Sequence, residues 1–243
     1  MKICLAQIAP TKGMIQSNIE LHVRYIKEAI KLNANCIIFP ELSLTSYEPE
    51  IAARCALELE TYSLNEFQHL SDDHQLTIGV GVPQKTLNGI NISLLIFQPN
   101  EDRVYYSKRL LHEDELPYFL PGKDAVYLTI DQVKLTFGIC YESLQRASFI
   151  EAVENNADLY IASVAKPKSG MEKANTYFPA VAQEFETTVL LSNAVGFCDN
   201  FTSYGQSSVW NKEGLLLAQM SDTAQGLILY DTESETSEVI NLN

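Results

Sequence analysis

The sequence predicts an α/β sandwich, with mixed sheets covered by helices. Three observations carry this expectation. The chain opens strand–helix–strand, its middle joins strand-like runs by tight-turn signals, and its second half alternates short apolar runs with amphipathic segments.

Taken in order, "KICLAQIA" (2–9) alternates and reads as a strand. In "MIQSNIELHVRYIKEAIKLN", Ile15, Ile19, Val23, Ile26 and Ile30 recur at helical spacing and make one apolar face. "CIIFP" (36–40) is a short continuous apolar run, as in a strand covered on both faces. Residues 51–70 read as helix. "LTIGVGVPQKT" and "INISLLIFQP" flank Asn88-Gly89, which predicts a hairpin with a two-residue turn. Pro99-Asn100 marks another turn before "RVYYSK".

"KDAVYLTIDQVKLTFGIC" supplies two further strands and "QRASFIEAVENNA" a helix. "DLYIASVA" reads as strand, "EKANTYFPAVAQEFET" as mostly helix, and "TVLLSNAVG" as another buried strand. "SSVWNKEGLLLAQM" is a hairpin turning near Lys212 to Gly214, and "GLILYD" is a late strand. The last dozen residues are polar and read as an arm or tail. No linker, repeat or composition break divides the chain, so residues 1–243 are expected to form one domain.

Composition narrows the function classes. A net charge of −14 argues against nucleic acid or an anionic membrane as partner, and suits solubility. The five cysteines are odd in number, widely spaced and without CxxC, which disfavours a disulfide framework or structural zinc. The first apolar run is short for a signal peptide, and no apolar stretch is long enough to span a membrane. A reducing cytoplasm is the expected compartment.

Three polar residues stand directly after strand-like runs: Glu41, Lys108 and Cys140. In α/β sheets, ligands bind at the carboxyl ends of strands, so the three could share a site. A carboxylate can take a thiol's proton, and an ammonium can stabilise an oxyanion. Each also has an ordinary alternative: a surface glutamate, a solvated Lys108–Arg109 pair, a packing cysteine. All four histidines precede Cys140, which disfavours a papain-like Cys–His enzyme. "GVGVP" lacks the rest of a dinucleotide loop.

"FPELSLTSY" (39–47), "YYSKRLLHEDELPYFLPG" (105–122) and "GICYES" (138–143) resemble, in order and spacing, the three signature segments of the nitrilase superfamily, the carbon–nitrogen hydrolases. "KICLAQIAP", "NADLYIASVA" and "YGQSSVWNKEG" extend the resemblance over almost the whole chain. It implies a four-layer αββα sandwich, paired into a homodimer, and a Glu–Lys–Cys triad. Glu41 would be the general base, Lys108 the oxyanion stabiliser and Cys140 the nucleophile, with the Tyr141 N–H as second oxyanion donor. Glu115, preferred to Glu113 by the following "YF..PG" pattern, would orient the site. Glu142, Tyr47 and Lys166 are candidate substrate-binding residues, Glu142 equally a turn-holding one. Phe197 and Phe201 are further candidates.

The implied function is hydrolysis of a small linear amide or N-carbamoyl amine through a thioester, with no cofactor and no metal. A silent binding protein on the same fold, a nitrilase proper, or a thiol redox protein using Cys198 are the alternatives. One departure stands out. Many members place an arginine four residues after the cysteine; here that position is Leu144, and the nearest arginine is Arg146.

Overall fold

The structure, a computed structural model, describes residues 1–58 and 61–242. Its first half builds one sheet. β1 (Lys2–Gln7), α1 (Ile15–Lys31) and β2 (Cys36–Ile38) form the predicted opening unit, with β1 and β2 parallel and Ile3 opposite Cys36. The predicted face of α1 buries Ile19, Val23 and Ile26. The stretch expected to be one helix from 51 to 70 is instead broken: α2 (Ala52–Cys55) is a single turn, and α3 (Asn65–His74) begins ten residues after it ends. Between them Leu57 bridges to Gln84, an extended contact that a continuous helix would forbid; residues 59 and 60 lie outside the described residues.

β3 (Thr77–Lys85), β4 (Ile90–Phe97) and β5 (Val104–Ser107) follow as an antiparallel meander. The β3–β4 turn sits one residue earlier than Asn88-Gly89 suggests. Thr86 N–H donates to the Gly89 carbonyl, leaving Leu87 and Asn88 at the tip. Gly89 closes the turn with φ +155°, a conformation that favours glycine.

The second half builds the other sheet from β6 (Tyr127–Ile130), β7 (Val133–Ile139), β8 (Leu159–Val164), β9 (Thr188–Asn193), β12 (Ser208–Trp210) and β13 (Leu216–Gln219). β7, β8 and β9 are parallel, and α4 (Arg146–Glu154) and α5 (Lys168–Glu184) connect them. β10 (Val195–Cys198) and β11 (Phe201–Tyr204) form a separate small hairpin. β14 (Gly226–Asp231) returns to the first sheet beside β1. The polar C-terminal stretch is not a tail: β15 (Thr236–Asn241) pairs antiparallel along β14. An edge strand outside the core exposes most of its side chains, so its composition carries no strand signal.

The layers follow from three apolar clusters. One, with Leu5, Ile38, Leu94, Phe137 and Ile161, fills the space between the sheets. A second packs α1 and α3 on the first sheet, and a third packs α4 and α5 on the other. This is the αββα sandwich, and it brings the carboxyl ends of β2 and β7 together. Two buried hydroxyls tie the sheets directly: Ser163 Oγ donates to the Phe39 carbonyl at 2.8 Å and Ser192 Oγ to the Ala6 carbonyl at 2.7 Å. Among the described residues, no helix is long and apolar enough to cross a membrane.

Candidate active site

Glu41, Lys108, Glu115 and Cys140 come from four segments and meet at one point. Glu41 follows β2, in a loop seated closely on β3. A Cβ at Gly81 would lie 2.2 Å from the Pro40 carbonyl oxygen, so only glycine admits that approach. Lys108 follows β5, where its carbonyl accepts from Gly122 N–H at 2.8 Å. Glu115 stands in the loop between β5 and β6 and is buried, whereas neighbouring Glu113 is exposed. Cys140 follows β7 with φ +49°, in the left-handed region uncommon for a residue with a side chain. Such strain concentrates where a fold over-determines a functional turn.

Lys108 has no exposure to solvent. Its Nζ donates to Glu41 Oε1 at 2.9 Å and to Glu115 Oε1 at 2.5 Å. Glu115 Oε1 also accepts from Tyr47 Oη at 3.0 Å, and its Oε2 from His112 N–H at 2.8 Å. Glu41 Oε2 accepts from Ala165 N–H at 3.2 Å. The Cys140 Sγ lies 3.8 Å from the Ala165 carbonyl oxygen and 3.7 Å from Lys166 Nζ.

The charges set one another. Burial pushes the Glu41 carboxyl up; Lys108 pulls it down, Glu115 pushes it up again, and it rests above its ordinary value. Burial works against the Lys108 ammonium, but Glu41, Cys140 and Glu115 outweigh it and hold its pKa above the ordinary lysine value. Burial, then Glu41, raise the Cys140 thiol to about 11, against the pull of Lys166 and Lys108. At rest near neutrality the sulfur therefore keeps its proton. Burial and the two glutamates likewise raise the Tyr47 hydroxyl, which stays a donor.

The cluster opens on a cavity of about 340 Å³ whose walls include Tyr47, Tyr141, Lys166 and Phe201. Tyr141 stands against His112 with ring centroids 5.2 Å apart. Phe197 is turned to solvent at 73% exposure, and Cys198, at the end of β10, is buried with its Sγ 3.4 Å from Ser203 Oγ. Neither lines the cavity. Leu144 does, while Arg146 pairs with Glu184 on the protein surface.

Glu142 requires a correction. It does not line the cavity, because its carboxylate is consumed by the protein. Oε1 accepts from Tyr106 Oη at 2.6 Å and Ile139 N–H at 2.8 Å; Oε2 accepts from Arg109 N–H at 2.7 Å and Leu110 N–H at 3.1 Å. One buried carboxylate thus clamps the chain before Cys140 to the chain after Lys108. Glutamine in its place would set an NH₂ group against N–H donors. Glu142→Gln is expected to cost about 2–3 kcal/mol in denaturant unfolding and to lower turnover as well.

Sequence reasoning missed the cavity wall made by His112, Asp114, Pro167, Ser169, Gly170 and Lys173. The expected helix begins only at "EKANTYF"; the first turn of α5 escaped because Pro167 and Gly170 are poor helix formers, although Pro167 occupies the cap position.

Comparison with known proteins gives the family and the fold. A family profile described as carbon–nitrogen hydrolase matches residues 2–241. The glutamine-dependent NAD(+) synthetase of Aquifex aeolicus is 24% identical over 235 residues, 90% of this chain and 40% of its own. That of Acinetobacter baylyi is 27% identical over 228 residues, 88% of this chain and 40% of its own. The chain therefore spans about two-fifths of the length of these curated relatives. Among solved structures, a cysteine-to-alanine mutant of the amidase from Nesterenkonia sp. AN1 in complex with butyramide superposes with a TM-score of 0.86 at 20% identity, covering 97% of this chain and 92% of that one. The glutamine-dependent NAD+ synthetase from Acinetobacter baumannii superposes with a TM-score of 0.86 at 20% identity, covering 100% of this chain and 48% of that one.

Proposed function

The chain belongs to the carbon–nitrogen hydrolase family, and from that premise we propose that it hydrolyses the C–N bond of a small linear amide or N-carbamoyl amine, with Cys140 as nucleophile, Glu41 as base and Lys108 as oxyanion stabiliser. The observation that carries this reading is a buried carboxylate–ammonium–carboxylate cluster beside a thiol at the floor of a cavity.

With the thiol at about 11, thiolate is scarce at neutral pH, so attack and proton transfer belong together. Sγ attacks the amide carbon while its proton passes to Glu41. The oxyanion forms beside Lys108 Nζ and the Tyr141 N–H. The C–N bond breaks as Glu41 returns the proton to the leaving nitrogen, which departs as ammonia or amine. Water then attacks the thioester, giving its proton to Glu41. The acid leaves and the thiol is restored. Glu115 acts on Lys108, fixing its ammonium from the other side.

Glu41 must be ionised to accept the proton. Its pKa lies above the ordinary carboxylate value, so kcat/KM is expected to fall on the acid side with a midpoint higher than a free glutamate would give. A pH–rate profile flat down to the ordinary carboxylate range would remove Glu41 as the base.

The direct test is ammonia release from aliphatic amides, ω-amides, carbamoyl amines and a nitrile, with intact-mass detection of an acyl adduct on Cys140. Turnover of the nitrile alone would favour a nitrilase proper. No turnover and no adduct across the panel would favour a binding protein on this fold. The expected homodimer is checked by sedimentation of the full chain.

A further inference from the structure

Resting on the amide-hydrolase reading, we propose that Lys166 and the start of α5 bind a carboxylate of the substrate, so that the amide cleaved at Cys140 bears an acid group at its other end. Lys166 is only 4% exposed, yet no carboxylate among the described residues stands within ion-pair distance of its ammonium. Its Nζ reaches the Cys140 carbonyl oxygen at 3.3 Å and Cys140 Sγ at 3.7 Å, and it faces the cavity. A buried cation without a counter-ion is costly, and an anionic ligand removes that cost.

The position is also built. Lys166 N–H donates to Asn193 Oδ1 at 2.9 Å, and its carbonyl accepts from Tyr204 N–H at 2.8 Å and from Asn193 Nδ2 at 3.3 Å. The backbone is thus fixed from two other segments while the ammonium is left for the cavity. Beside it, α5 begins with no side-chain cap and no acidic residue in its first turn. Ser169 and Gly170 of that turn line the cavity, and so does Lys173 one turn on. The free N–H groups and positive end of a 17-residue helix favour an anion there.

The acids across the cavity are already engaged, Glu115 with Lys108 and Asp114 with His112. Lys166 and Lys173, by contrast, line the cavity with no carboxylate among the described residues at ion-pair distance. Leu144 offers no cation from the segment after Cys140, and Lys166 offers one from the end of β8. Its closeness to Sγ calls for a short spacer between amide and acid, as in the monoamides of short dicarboxylic acids.

The test compares kcat/KM for succinamate and glutaramate with butyramide and valeramide, their neutral counterparts. Asparagine and glutamine decide whether an α-amino group is accepted. The acidic amides are expected to lead by at least about tenfold, and that ratio should drop by about tenfold or more in Lys166→Met, with partial recovery in Lys166→Arg. Equal rates for acidic and neutral amides in the wild type, or a parallel loss of both in Lys166→Met, would overturn the proposal. A binding readout separates it from the catalytic reading. Succinate or glutarate should slow iodoacetamide alkylation of wild-type Cys140, and less so in Lys166→Met. Protection without turnover of any amide would leave the anion site standing and sink the hydrolase; turnover without protection would do the reverse.

Discussion

Cys140→Ala is expected to reduce ammonia release by about 10⁴-fold or more while leaving the fold and thermal midpoint close to wild type. The size of the loss follows from the lack of a second thiol in the cavity. Cys4, Cys36, Cys55 and Cys198 are all buried, and Cys140 alone among the five reaches the cavity. Burial raises the Cys4 thiol to about 12 and Cys198 to about 11, and Cys198 shares its hydrogen bond with Ser203 rather than with a carboxylate. Truncating Cys140 removes one partly exposed sulfur whose contacts are long, so stability has little to lose. The acyl adduct detected by intact mass should vanish with the thiol. A variant that turned over amides at the wild-type rate would sink the proposed mechanism.

Lys108→Met is expected to lose activity to a similar degree and, unlike the cysteine variant, to destabilise the fold by about 3–5 kcal/mol near neutral pH. The methionine fills much the same volume, so packing is not the main cause. The ammonium is the shared partner of two carboxylates that are themselves buried, Glu41 and Glu115. Without it each faces the other's charge with no solvent to screen it, and the Glu41 carboxyl, already held above its ordinary value, moves further up in the folded state. A carboxyl raised on folding makes the native state hold more protons than the unfolded chain. Stability then falls as pH rises through the raised value and recovers toward acid. The loss should therefore shrink toward acid pH, where the Glu41 carboxyl can stay neutral. Denaturant unfolding of wild type and variant across that range is the measurement. Adding Glu115→Gln to Lys108→Met should restore part of the stability and none of the activity, because it removes a buried charge without returning the oxyanion partner. A Lys108→Met protein as stable as wild type at neutral pH would mean that the cluster is neutral before the mutation.

Local sequence carried much of the frame. The 3.6-residue recurrence of Ile19, Val23 and Ile26 defines the inner face of α1, because a helix repeats its surface every few residues whatever it packs against. Runs such as "CIIFP" and "LTFGI" announce buried strands for the same reason, and the polar residue that ends each run marks the edge where a site can form. Where the local signal was weak or divided, tertiary contacts decided. Leu57 bridges to Gln84 instead of continuing a helix, and β15 owes its strand to backbone pairing with β14 that its polar side chains do not advertise. The turn settled at Leu87-Asn88 because the β3–β4 register, fixed by pairs such as Val80 with Leu95, placed it there.

The sequence by itself determined the family, the strand ends at Glu41, Lys108 and Cys140, and the choice of four candidate residues for the chemistry. The tertiary structure decided what each side chain can do. It set Glu142 against four donors and away from the cavity, left Lys166 beside Cys140 without a counter-ion among the described residues, and turned Leu144 inward and Arg146 outward. The physical reason is range. Hydrophobic periodicity is written within a few residues and survives in any context. Burial and charge pairing depend on groups brought together from distant segments, and these exist only once both sheets are in register and packed face to face.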